Sequence, residues 1–300
     1  MKILRILPLI LLIAACGTEN KKSEEEAFIE SLDSVENTGP SIDENVIGEI
    51  IQQVPSPLEI SVLLKQSGTK YDKSLLNSTD NISNYNSNFK KAVNLGIYGT
   101  DLGYTNIYEK NQDGLDYMSG IKTLADGLNI GQFFELETIA KLATNSKNLD
   151  SLLLITTQNF NSINQYLQEQ SRSHLSILLL TGGWIEAMHI TCQVSAKDPT
   201  NIELQEKIGE QKIILENIRL LISFYKDSDP KMAELLSEIE KLEKVFNEVE
   251  ITQTYKESTF EIVDGVMMIK DNSESHIEIT SENVENIMRV TSEVRTKLIN

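Results

Sequence analysis

Cysteine is nearly absent from this chain of 300 residues; with two of them, neither a disulfide framework nor a four-cysteine zinc site is open to it. Basic residues are short as well: 27 Lys and Arg stand against 45 Asp and Glu, a formal charge of −18. Nucleic-acid binding needs clustered cations on one face, so that class drops out. Glycine and proline number only 15 and 6, which excludes collagen-like and Pro-rich low-complexity architecture. No Gly-x-Gly-x-x-Gly, phosphate-binding loop or Gly-x-Ser-x-Gly occurs. What is there is 40% hydrophobic residues, enough for one core or two small ones.

The first fifteen residues have the layout of a signal peptide. Lys2 and Arg5 supply the positive end, and Ile6 to Ile13, interrupted by Pro8, supply a short apolar stretch. A membrane span needs ~20 residues, so this stretch is too short to be one. It runs into Ile13-Ala14-Ala15-Cys16, which resembles the lipobox of bacterial lipoproteins. The resemblance implies cleavage before Cys16, diacylation of its sulfur and usually a third acyl chain on the new amino group. The partner of such an anchor is the lipid bilayer, where each buried methylene contributes ~0.8 kcal/mol. Gly17 stands where Asp is the familiar inner-membrane retention signal, so the expected location is the outer membrane, on its periplasmic face or the cell surface. The plainer reading is an ordinary signal peptide with a cysteine beside its cleavage site. With Cys16 acylated, Cys192 is the one thiol left; its Met188-His189-Ile190-Thr191 surroundings favour burial on a helix, and no disulfide is expected.

Residues 16–53 read as an acidic tether, with ten Asp and Glu (Glu19 to Glu49) against Lys21 and Lys22 and few apolar residues to offset chain entropy. Weak helical turns are expected near Ala27–Leu32 and Asn45–Ile51. The run Lys22-Ser23-Glu24-Glu25-Glu26 resembles the acidic surface-export signal of some bacteroidete-type lipoproteins; acidic linkers are also common for no such reason.

From Val54 the pattern is helical. Ser56-Pro57 starts a helix to about Gln66; further helices are expected over Asp80–Glu109, Asp113–Leu128, Gly131–Ala143, Leu149–Gln170, Ser173–Ser195, Thr200–Tyr225 and Lys231–Val249. Asp198-Pro199 and Asp229-Pro230 are start signals, a carboxylate cap followed by a pre-set φ. In residues 251–300, Ser258–Val263 and Val266–Lys270 flank Asp264-Gly265, a hairpin signal. His276–Ile279 offers a third short strand, and Thr280 or Ser281 caps a final helix to Leu298. The expected fold is mainly α: an antiparallel multi-helix bundle or array over 54–250, with a small C-terminal β-hairpin element and a terminal helix packed on it.

Two segments carry the candidate chemistry. Gly96-Ile97-Tyr98-Gly99-Thr100-Asp101-Leu102-Gly103-Tyr104 places three glycines in one helix, each costing ~1 kcal/mol relative to Ala. They serve either close helix–helix packing, with Gly182-Gly183 as a counterpart, or a ligand pocket in which Tyr98, Asp101 and Tyr104 are the polar contacts. Gly182-Gly183-Trp184-Ile185-Glu186-Ala187-Met188-His189 contains Glu-x-x-His, the pair that lines di-iron bundles; the second such pair those sites need is missing, so no metal and no cofactor is expected. Tyr98, Asp101, Tyr104, Trp184, Glu186 and His189 together form the candidate cleft for a ligand or partner. No nucleophile with a base and an orienting third group is found, and no catalytic residue is assigned. Tyr71, Tyr85, Tyr98, Tyr104, Tyr108 and Tyr117 crowd one third of the body, either as a sugar- or peptide-binding surface or as boundary residues of amphipathic helices.

The lipobox, the Val54-Pro55-Ser56-Pro57-Leu58-Glu59-Ile60 opening, the Asn94–Tyr104 helix and the Gly182–Glu186 helix resemble a set of bacteroidete-type helical envelope lipoproteins. That resemblance spans 54–300 and brings neither an activity nor functional residues. The expected function is a non-enzymatic, lipid-anchored module that binds another envelope protein or serves in an envelope complex. The alternatives are a lipoprotein that binds a glycan or peptide and, third, a helical hydrolase.

Overall fold

One helix organises the molecule. Helix α5 (Ser173–Ser195) is apolar almost all round, and its residues from Leu175 to Val194 are buried with few breaks. A helix without a polar face can only be a central one. Among the described residues it alone is long and apolar enough to cross a bilayer, yet 89% of that stretch is buried inside the protein. The structure is a computed structural model and describes residues 44–52, 54, 64–65, 68–134, 149–254, 259–263, 266–270 and 274–300.

Around α5 lie α1 (Glu44–Gln52), α2 (Asn88–Ile107), α4 (Leu149–Glu169), α6 (Ile202–Ser223) and α8 (Ser281–Ile299). Helix α3 (Asn111–Asp126) packs on α2, and α7 (Pro230–Phe246) packs on α6 and α8. Short 3-10 turns occupy Lys73–Leu75, Thr79–Asn84 and Gly131–Phe134. The mainly α architecture, with a small β element and a terminal helix, is therefore the observed one.

Several boundaries differ from expectation, each for a local reason. The helix expected from Asp80 starts at Asn88, because the Ser87 hydroxyl accepts from the Lys90 N–H and Ser78 caps a separate 3-10 turn at Thr79–Asn84. Asp198 caps no helix: its Oδ1 folds back onto the N–H and hydroxyl of Thr200, and Asn201 caps α6 instead. Asp229-Pro230 behaves as expected, with the Asp229 carboxylate accepting from Lys231 N–H and Pro230 in the first turn. The final helix is capped by Thr280 in a reciprocal box closed by Asn283. Residues 45–52 belong to the folded body rather than to the tether, since Ile47 and Ile51 of α1 are buried in the core. Of the helix expected from Pro57, and of Gly131–Ala143 beyond Phe134, most lies outside the described residues.

The C-terminal strands form two antiparallel ladders. Strand β2 (Thr259–Val263) pairs with β3 (Val266–Lys270) on either side of the expected turn, which itself lies outside the described residues. Strand β1 (Glu250–Thr254), not foreseen, pairs with β4 (Glu274–Glu278), Ile251 opposite Ile277. Ile277 packs on α6 at Gly209, where a Cβ would come within 2.7 Å of its Cγ2.

The α2–α5 crossing is where the glycines count. A Cβ at Gly96 would fall on the Leu179 carbonyl, and one at Gly182 on the Val93 carbonyl, so the two backbones touch. Thr100 Oγ1 then donates across the crossing to the Gly183 carbonyl at 3.0 Å. Close packing, not a pocket, is what Gly96 and Gly182 serve; Gly99 is exposed and has nothing within 4 Å of its Cβ position.

Candidate functional site

At the α2–α5–α8 junction the chain buries three charged side chains together. Asp101 of α2 and Glu186 of α5 are fully buried, and the Arg295 side chain of α8 is 10% exposed. Arg295 grips Glu186 with two parallel bonds, Nε to Oε2 at 2.5 Å and Nη2 to Oε1 at 2.7 Å. Such fork-to-carboxylate pairing is the strong, directional form of an ion pair. Nη2 also reaches the Leu75 carbonyl at 3.3 Å. Asp101 Oδ2 accepts from the Asn77 N–H at 3.2 Å, while its Oδ1 accepts nothing among the described residues.

Two carboxylates and one guanidinium carry a net negative charge in a site without water's screening. Burial, and after it the Glu186 carboxylate alongside, push the Asp101 carboxyl well above the usual range, more than Arg295 pulls it down. The protonated form of Asp101 is thereby favoured. That form presents a donor to the neighbouring Glu186 carboxylate. Burial disfavours the Arg295 charge, but the hydrogen bonds and charge of Glu186 outweigh it and hold the guanidinium ionised.

A strap of loops and two short 3-10 turns, residues 68–87, closes this junction, and side chains of the helices satisfy the polar groups its own turns leave open. Tyr117 OH donates to the Asn77 carbonyl at 2.9 Å, and Tyr98 OH to the Ser78 carbonyl at 2.8 Å. Asp72 N–H donates to Tyr104 OH at 3.3 Å. Asn77 Nδ2 donates to Tyr85 OH at 3.0 Å, and Tyr85 OH in turn donates to the Ile299 carbonyl at the end of α8. Asn94 Nδ2 and Lys90 Nζ hold the Leu298 and Asn300 carbonyls. Backbone that joins neither helix nor sheet can be buried only when its polar groups are met in this way.

Of the six candidate residues, Tyr98, Asp101 and Tyr104 all meet the strap, Glu186 and His189 border them, and Trp184 lies elsewhere. Asp101 and Glu186 meet, and His189, one turn further along α5, stands at their rim with Nδ1 3.5 Å from Ser292 Oγ. Burial first, and the Arg295 charge second, lower the His189 pKa to about 4, so it is a neutral imidazole. Tyr98 and Tyr104 point to the strap; Tyr104 stacks against Tyr71 at 5.4 Å, and burial pushes its hydroxyl up to about 12. Trp184 turns away, lying beside Phe246 of α7 and donating from Nε1 to Gln211 Oε1 at 3.0 Å. The six-residue cleft is therefore not assembled.

The tyrosines sort likewise: Tyr85, Tyr98, Tyr104 and Tyr117 are buried, and only Tyr71 and Tyr108 reach the rim. Cys192 is buried and free, as its apolar setting implied. Among the described residues no group of three or more His, Cys, Asp and Glu is placed to hold a metal ion.

Sequence reasoning missed Arg295 and Asn77. Arg295 carried a signal: it interrupts the stripe Val284, Ile287, Thr291, Val294 and Leu298 that α8 buries. A cation on an apolar stripe needs buried acid opposite it. Asn77 carried none, because it sits in irregular chain. A second concavity lies two turns of α8 away, a groove of about 410 Å³ between the end of α5, the start of α6 and the start of α8. Compared with protein-family models, curated proteins and solved structures, the chain matches none.

Proposed function

We propose that this chain is an envelope lipoprotein, anchored through acylated Cys16, whose helical body is a non-enzymatic protein-interaction or complex-subunit module. One observation carries the reading of the body. The side chains best suited to chemistry, Asp101, Glu186 and Arg295, are all nine-tenths or more buried and spend their hydrogen bonds on one another and on the strap. A reacting group needs an accessible atom and room for a substrate. Here those atoms fasten α2, α5, α8 and the strap to each other. The glycan- or peptide-binding alternative drew on one cleft shared by Tyr98, Asp101, Tyr104, Trp184, Glu186 and His189; all of these but His189 are buried, and Trp184 turns away from the rest towards Gln211 and Phe246. The lipobox at residues 13–16 supports the anchor.

The test is affinity purification of the full-length, acylated protein from detergent-solubilised envelopes, followed by mass spectrometry. A stoichiometric envelope protein is the expected result; a monomer without a partner overturns the module. Cys16→Ala is expected to leave the body folded and release it from membranes. Membrane association of that variant undiminished would sink the anchor.

A further inference from the structure

Resting on the module reading, we infer that the α5–α6–α8 groove is where the partner docks, and that its occupant is an extended peptide segment with an apolar side chain beside a Lys or Arg. The groove measures about 410 Å³, within the ~300–1,000 Å³ that binding sites occupy. Its apolar lining is Ala196, Pro199, Val284 and Met288. Met288 is half-buried and unbranched, a side chain that adapts to differently shaped apolar groups.

Apart from Glu285 and Arg289, the polar lining consists of neutral amides and hydroxyls, which suits a peptide backbone. Gln205 is buried and donates Nε2 to the Pro199 carbonyl at 2.8 Å, which holds its amide rigidly at the wall. Asn286 makes no hydrogen bond through its side chain among the described residues. Ser195 Oγ is buried and has no hydrogen-bond partner among the described residues. A peptide presents one donor and one acceptor per residue, and amide side chains answer both. A saccharide fits less well, because no aromatic ring lines the groove to take a sugar face.

Charge selects the sign of the partner. Of the two charged lining residues, Arg289 is paired with Glu293 at 3.0 Å, while Glu285 is exposed and forms no ion pair among the described residues. At this edge of α8 two carboxylates, Glu285 and Glu293, flank one guanidinium, on a chain of net charge −18. A cationic partner is drawn to such a surface and an acidic one repelled.

Photo-crosslinking in intact envelopes tests this, with p-benzoylphenylalanine replacing Asn286 in the full-length protein and Ser237, on exposed α7, as the control position. A protein adduct is expected at 286 and not at 237, mapping to a segment with Lys or Arg next to an apolar residue. Glu285→Lys, combined with the label, is expected to lower adduct yield roughly fivefold or more. An adduct to lipid or glycan, an adduct mapping to an acidic segment, or a yield indifferent to Glu285→Lys overturns the inference. A partner that co-purifies while position 286 yields no adduct overturns the groove and leaves the module reading standing. No co-purifying protein and no adduct overturns both.

Discussion

Replacing Arg295 by Met tests whether the buried charge cluster is organised as described. Met matches much of the Arg stem but leaves Glu186, fully buried, without its two charge-assisted bonds, and leaves Leu75 O without its 3.3 Å donor. Breaking a buried pair by removing one partner costs ~3–5 kcal/mol. At ~2–4 °C per kcal/mol for a domain of this size, Tm is expected to fall by roughly 6–20 °C. The loss depends on pH in a defined direction. The Arg295 charge is what pulls the Asp101 carboxyl down, so without the guanidinium that carboxyl is raised further in the folded state. A folded-state pKa raised above the unfolded one makes stability fall as pH rises, by up to ~1.4 kcal/mol per unit and proton. The deficit of Arg295→Met is therefore largest at pH 7–8 and shrinks towards pH 4. Removing the orphaned acids as well, in Asp101→Asn/Glu186→Leu/Arg295→Met, is expected to recover most of the loss, since a well-packed apolar replacement of a buried pair is near neutral. Urea melts of the four proteins (wild type, the single variant, Glu186→Leu/Arg295→Met and the triple) at pH 5 and 8 supply the numbers. A loss below ~1 kcal/mol for Arg295→Met, or a triple variant no more stable than the single, refutes the reasoning.

Asp101→Asn alone keeps an acceptor for the Asn77 N–H and a donor for Glu186; because the Asp101 proton is retained only in the folded state, the variant is expected to match wild type near pH 4 and to exceed it at pH 8 in urea melts. His189 acts with the opposite sign, its folded pKa of about 4 lying below the unfolded 6.5, so stability is lost as pH falls through that window, and His189→Asn is expected to remove that part of the acid sensitivity. Gly96→Ala and Gly182→Ala press a Cβ into backbone and are each expected to cost ~1–3 kcal/mol or more, whereas Gly99→Ala, exposed in the same helix as Gly96, is expected to gain ~0.5–1 kcal/mol by thermal melts. Burial raises the Cys192 thiol to about 12, so a thiol reagent at pH 8 is expected to label it only at the rate of unfolding; rapid labelling of the native protein would contradict its packing.

The sequence by itself determined the helices between Leu149 and Phe246 and the terminal helix, because apolar spacing, caps such as Asp229 and Thr280, and starts such as Asp229-Pro230 act within a few residues of chain. It also determined that α5 would be central, since a helix apolar on every side has no face to give to water. The meeting of Gly96 with Gly182 was legible as a possibility, because three glycines within one helix need a return that close packing supplies. What only the tertiary structure decided is which polar side chains share a place. Asp101, Glu186 and Arg295 lie 85 and 109 residues apart along the chain, and nothing local to any of them names the others. Trp184 and Glu186, two residues apart on α5, point to opposite sides because a helix advances 100° per residue. The strap of 68–87 was equally silent. Its backbone is fixed by tyrosines from α2 and α3 rather than by its own periodicity, and a carboxyl's protonation state depends on how much water and which charges the finished fold leaves beside it.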